Sequence, residues 1–130
     1  IDLEAESFAS LIDTDLMISD WSGVAMEYAF GLEKPVLFID VPEKVNNPEF
    51  GTIPSIPFEK SYRDQVGEVH SASDLQTIPA VIKNLLESSE RQAAAAVKLR
   101  NEAIFNAGSS GKTGARIIAE LADRAEPLTP

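Results

Sequence analysis

The stretch that decides the fold is Asp13-Thr14-Asp15-Leu16-Met17-Ile18-Ser19-Asp20-Trp21-Ser22-Gly23, continued by Val24-Ala25-Met26-Glu27-Tyr28-Ala29-Phe30-Gly31 and closed by Lys34-Pro35-Val36-Leu37-Phe38-Ile39-Asp40. Residues 16–18 and 36–39 are unbroken apolar runs too short for helices, the pattern of strands covered on both faces in a parallel sheet. A crossover of helical length separates them, so the unit reads as βαβ with a right-handed connection. Asp20 or Ser22 is the expected N-cap of the helix, which should end near Gly31, and Pro35 prevents it from continuing. Ligands of such sheets bind at the carboxyl ends of strands, where helix N-termini present unpaired N–H groups suited to phosphate. Residues 19–23 hold that position.

Outward from this unit, residues 3–12 place Leu3, Phe8, Leu11 and Ile12 at roughly helical spacing, a helix expected to pack on the sheet. After Asp40 comes an irregular passage through Pro42, Pro48, Pro54 and Pro57 to about Tyr62; proline at this density argues against regular helix. A loop beyond about 12–15 residues in a compact domain covers a site, meets a partner, or is a floppy insertion. A third strand is expected at residues 67–70. Ser73 and Gln76 then fit a capping box for a helix carrying Ile78, Val81, Ile82, Leu85 and Leu86 on one face, with Pro79 tolerated in its first turn. Residues 90–105 form an alanine-rich helix, and residues 113–124 another with Ile117, Ile118, Leu121 and Ala122 inward. Residues 126–130 read as a frayed tail.

The expected fold class is therefore α/β: one Rossmann-like domain over residues 1–125, with a parallel sheet of about three to four strands flanked by helices. With 130 residues, 44% of them hydrophobic, the chain can bury a substantial core. It opens without methionine, and the expectation is a piece of something longer. No cysteine and a single histidine, His70, leave carboxylates as the only metal ligands, and neither metal nor cofactor is expected. A net charge of −10 with no basic stripe argues against nucleic acid as a partner. No apolar run approaches the roughly 20 residues of a membrane span.

Gly108-Ser109-Ser110-Gly111-Lys112-Thr113 looks like the end of a P-loop, yet that pattern needs glycine where Asn106 stands and a strand before it. A turn between helices fits better, with Ser109 and Ser110 left as possible anion contacts. His70 reads as a strand-end histidine, having no nucleophile or carboxylate beside it in sequence.

Asp15-Leu16-Met17-Ile18-Ser19-Asp20-Trp21-Ser22-Gly23, with Glu27-Tyr28-Ala29 and Lys34-Pro35-Val36-Leu37-Phe38 behind it, resembles the C-terminal domain of the CDP-glycerol glycerophosphotransferases. These enzymes make teichoic-acid-type cell-wall polymers on a glycosyltransferase scaffold of two Rossmann-like domains, GT-B. The resemblance is close over residues 13–40 and looser over residues 105–118, where Asn106, Gly108 and Ser110 are similar to a family signature. It implies that the strand-end turn holds the donor pyrophosphate through Ser19, Asp20, Ser22 and the helix N-terminus beside Gly23. It also implies Trp21 in place of the family's tyrosine, Gly23 in place of its second serine, and Glu27 on the donor ribose, where a carboxylate can accept from two vicinal hydroxyls. The same layout puts Arg63 near a phosphate, although Arg63 beside Asp64 also reads as a surface pair.

The implied partners are a CDP-glycerol or nucleotide-sugar donor and an N-terminal acceptor domain of the parent chain. The implied location is the cytoplasm, or the inner membrane face for the parent. The family's His-Pro segment and its proposed base have no counterpart in these residues, so no catalytic residue is assigned. An epimerase-like GT-B fragment and a non-catalytic α/β interaction module stay open as alternatives.

Overall fold

The computed structural model describes residues 8–43, 45 and 47–124; Leu3 and the expected frayed tail lie outside the described residues. The chain divides into two compact units, Ile1–Leu99 and Arg100–Pro130.

In the first unit three parallel strands, β1 (Met17–Ser19), β2 (Val36–Asp40) and β3 (Gly67–Ser71), lie in the order β1-β2-β3. Met17 pairs with Val36 and Val36 with Gly67, so the three carboxyl ends fall on one side, at Ser19, Asp40 and Ser71. The connections are α2 (Gly23–Leu32) and a loop leading into α3 (Phe58–Val66). Both helices pack on one sheet face, as same-handed crossovers between strands added in one direction must.

Alternation along the strands sorts the core into two layers. Val36 and Phe38 point to the face covered by Ala25, Met26, Ala29 and Phe30 of α2, Val66 of α3, and Ala96 and Leu99 of α5 (Ser89–Ala103). Leu37 points the other way, onto Val81 and Leu85 of α4 (Ile78–Glu87). Each fully buried Leu, Val or Phe here contributes about 1.5–3 kcal/mol. β1, an edge of the sheet, is covered less completely than expected: Ile18 is 53% exposed, and α4 packs chiefly on β2 and β3.

At the opposite end of the sheet, α1 (Phe8–Asp13) is tied to the start of β1. Lys34 Nζ donates to the carbonyls of Ile12 and Thr14, both at 2.6 Å, and the Tyr28 hydroxyl donates to the Thr14 carbonyl at 3.1 Å. Burial pushes the Tyr28 phenol above its ordinary pKa; the Thr14 hydroxyl opposes the shift and Asp15 adds to it.

Several sequence expectations are corrected. The proline-rich passage holds a 3-10 turn at Phe50–Thr52 and then a regular helix, α3, for which Pro57 serves as N-cap instead of a breaker. As expected, α2 ends near Gly31: the helix runs to Leu32 and stops at Glu33, which adopts the left-handed conformation and donates its N–H to the Ala29 carbonyl. The Ser73–Gln76 capping box does not form. Ser73 turns back onto the Ser71 hydroxyl at 2.8 Å, and a 3-10 turn at Leu75–Thr77 precedes α4. Along α4, Leu86 is exposed instead of joining Val81 and Leu85.

The second unit contains the last turn of α5 and α6 (Ser110–Arg124). The residues between them form the expected helix-to-helix turn, with Asn106 and Gly108 at positive φ. On α6, Ile117, Ile118 and Leu121 are exposed, Ile118 by 69%, against the expectation that they point inward; Ala122 is exposed as well. Periodicity puts them on one face and does not say whether that face is covered.

Candidate functional site

β1 delivers Ser19 to the carboxyl end of the sheet, and the turn Asp20-Trp21-Ser22 feeds α2. Ser22 has the extended backbone of an N-cap, φ −93° and ψ 132°, yet its hydroxyl makes no capping hydrogen bond. Only the Ser22 carbonyl is engaged there, accepting from Ala25 N–H at 3.2 Å. Ser19 Oγ, the Asp20 carboxylate and Ser22 Oγ form no hydrogen bond with the described residues. Helix capping therefore does not account for these side chains.

Trp21 is fixed by two contacts. Its indole N–H donates to the carbonyl of Val41, just past β2, at 2.7 Å, and the Arg63 guanidinium lies over its ring, 3.6 Å from the centroid. That is the range of a cation–π contact. Arg63, from the last turn of α3, also donates through Nη2 to Asp40 Oδ1 at 2.5 Å, while its Nη1 is buried with no partner among the described residues. The Arg63 side chain is 12% exposed and that of Asp40 51%. The sequence neighbour Asp64 is thus not its partner; Asp40, at the end of β2, is.

Around this stack lie two adjoining clefts of about 470 and 500 Å³ that share Trp21, Glu43 and Lys60. One is walled by Val45, Phe50 and Pro57, the other by Asp40, Arg63 and Val69. Lys60 pairs with Glu43 at 2.6 Å. Glu59 brings a carboxylate to the start of α2, with Oε1 3.5 Å from where a Cβ on Gly23 would stand. A negative charge there is favourable to the helix dipole.

The structure thus brings Ser19, Asp20, Trp21, Ser22, Gly23 and Arg63 to one end of the sheet. Glu27 is elsewhere: it lines a groove with Leu11, Tyr28, Gly31 and Leu32, apart from the Trp21 clefts. Ser109 and Ser110 belong to the other compact unit. Ser109 is spent on closing its own turn, its N–H donating to the Asn106 carbonyl at 2.9 Å and its hydroxyl at 3.3 Å. His70 is a strand-end histidine as expected, with Nε2 2.7 Å from the Asp74 carbonyl and 3.1 Å from the Thr77 hydroxyl. Among the described residues no group of His, Cys, Asp and Glu is arranged to hold a metal, and no helix is long and apolar enough to cross a membrane.

Sequence reading missed Asp40, Glu43, Phe50, Glu59 and Lys60. The available signal was the i,i+4 spacing of Phe58 with Tyr62 and of Glu59 with Arg63 behind Pro57, which marks a helix with its charged face toward β2. Set against known proteins, the chain matches no family model, no curated protein and no solved structure.

Proposed function

We propose that the first unit is the donor-binding part of a transferase that moves glycerol phosphate or a sugar from a CDP- or UDP-linked donor to an acceptor hydroxyl. One observation carries this reading: three polar side chains at the β1–α2 turn, Ser19, Asp20 and Ser22, are held at the carboxyl end of a parallel sheet with no hydrogen bond to the described residues. Beside them stand an aromatic ring and an arginine with an unused donor.

In such a reaction the acceptor oxygen attacks the distal phosphorus, or the anomeric carbon of a nucleotide-sugar. The bond to the leaving nucleotide breaks, and negative charge collects on its terminal phosphate. Hydroxyls, the α2 N-terminus and Arg63, fixed before the reaction, suit that charge. The acceptor and the base that deprotonates it are assigned to an N-terminal domain of the parent chain. The nucleotide donor fits a cytoplasmic location for the parent.

Trp21 is the sole tryptophan, so its fluorescence reports on the site. Titration with CDP-glycerol, UDP-sugars and free nucleotides is expected to give a saturable change for one nucleotide class. Asp20→Ala and Ser22→Ala should weaken it. A flat response to every nucleotide, matched by calorimetry without heat, would refute the reading.

A further inference from the structure

Arg63 is held in an unusual way for a residue that only pins a helix to a sheet. Its guanidinium plane is fixed against Trp21, its side chain is almost out of water, and its one ionic partner engages a single nitrogen. Nη1, the other prong of the fork, is buried and unpartnered among the described residues. A desolvated donor without an acceptor is costly, and a pair serving structure alone would gain from a bidentate carboxylate.

We infer that Arg63 is the anion receptor of this cleft and that Asp40 is its exchangeable counter-ion, displaced by the phosphate of the ligand. The inference rests on the donor-binding reading above and adds which side chain takes the charge and which one leaves. A phosphate oxyanion can span both Nη atoms of a guanidinium, filling the prong that Asp40 does not reach. The exchange falls on the carboxylate because Asp40 is half exposed at the end of β2 and rotates into water, whereas Arg63 is clamped by the ring. Lys60 is the weaker candidate: it is more exposed, and an ammonium offers no planar fork. Arg63 stacks on Trp21 of the Ser19–Gly23 turn, and both side chains line the same cleft.

The test titrates the full chain with inorganic pyrophosphate, followed by Trp21 fluorescence and by calorimetry, with circular dichroism confirming that each variant is folded. Asp40→Asn keeps an oxygen for Nη2 but removes the competing charge. It should tighten binding about threefold to fivefold, the span that an ion pair of this type is worth. Asp64→Asn, which removes a charge from the same cleft without touching Arg63, should stay within about twofold of the parent. Arg63→Gln should weaken binding at least about tenfold, and in that background Asp40→Asn should do nothing. Should Arg63→Gln fail to fold, Arg63→Lys retains the charge without the fork and is expected to lose most of the Asp40 effect. If the parent binds pyrophosphate but Asp40→Asn does not tighten it, or tightens it equally with Gln at position 63, the inference falls and the donor site at the β1–α2 turn stands. If no chain binds pyrophosphate or any nucleotide, both fall.

Discussion

Gly67→Ala is the substitution that joins fold and site. Gly67 lies opposite Val36 in the β2–β3 pairing, and a Cβ built on it would stand 2.3 Å from the Val36 carbonyl oxygen and 2.9 Å from Cε2 of Phe38. Its φ of −163° is ordinary extended backbone, so close approach alone demands the glycine. Carbon in van der Waals contact needs about 3.5 Å, so the strands must part by roughly 1 Å. Val36 and Phe38 are buried and cannot retreat into solvent. Overpacking costs about 1–3 kcal/mol, and a clash with backbone instead of a flexible side chain belongs near the upper end. For a unit of this size, about 3 kcal/mol lowers Tm by about 12–24 °C. α3 passes into β3 without a loop, so moving β3 also moves Arg63 relative to the Trp21 ring. Thermal melts by circular dichroism, run beside the Trp21 emission spectrum, should show a large fall in Tm together with altered emission below the transition. A variant melting within about 3 °C of the parent would refute the packing argument.

The opposite sign is expected at Gly31, where an added Cβ meets no heavy atom within 4 Å: Gly31→Ala inside α2 should stabilise by about 0.5–1 kcal/mol, read as an upward shift in Tm. Tyr28 gives a pH dependence. Its phenol is raised above 10.0 in the folded state, so the native protein holds the proton where the unfolded chain releases it. That contribution is complete below about pH 10 and is lost as pH rises through the folded value. Urea midpoints at about pH 9 and pH 11 should fall more steeply for the parent than for Tyr28→Phe, and equal slopes would contradict it. Asp20→Ala and Ser22→Ala should leave stability within about 0.5 kcal/mol, since neither side chain makes the capping bond whose loss costs about 1 kcal/mol. Chemical denaturation checks this, and a loss of about 2 kcal/mol would restore the capping role.

How much of this was legible in the sequence follows from the range of the interactions. β1, β2 and α2 were readable because local pattern decides them: apolar runs of strand length around a helix-length crossover. The turn at residues 19–23 was placed by the same argument, since the carboxyl ends of parallel strands are where such sheets bind ligands. α3 was hidden because four prolines between Asp40 and Phe58 dominated the reading, although the last of them caps the helix it was thought to prevent. The Ser73–Gln76 box was present as a pattern, but a nearer hydroxyl, Ser71, competed for Ser73. Arg63 shows the limit most plainly. Its sequence neighbour Asp64 is not its partner, and both Asp40 and Trp21 reach it only through tertiary folding. On α6 the period correctly grouped Ile117, Ile118 and Leu121, yet a period says which residues share a face and nothing about whether that face is covered.

The anion site proposed for so acidic a chain looks contradictory until long-range and contact electrostatics are separated. The net charge of −10 acts on a ligand still in solution, and it is screened over about 8 Å at physiological ionic strength. At contact the sign is set by the few groups that line the cleft. Two of its carboxylates are neutralised locally, Asp40 by Arg63 and Glu43 by Lys60, and Glu59 lies against the positive end of α2. These acids are thereby arranged as counter-ions to positive groups, which compensates the guanidinium and the helix terminus in the ligand-free chain. In the proposed exchange a phosphate entering this cleft replaces one anion by another at Arg63, so the chain's overall charge opposes its approach far more than its seating.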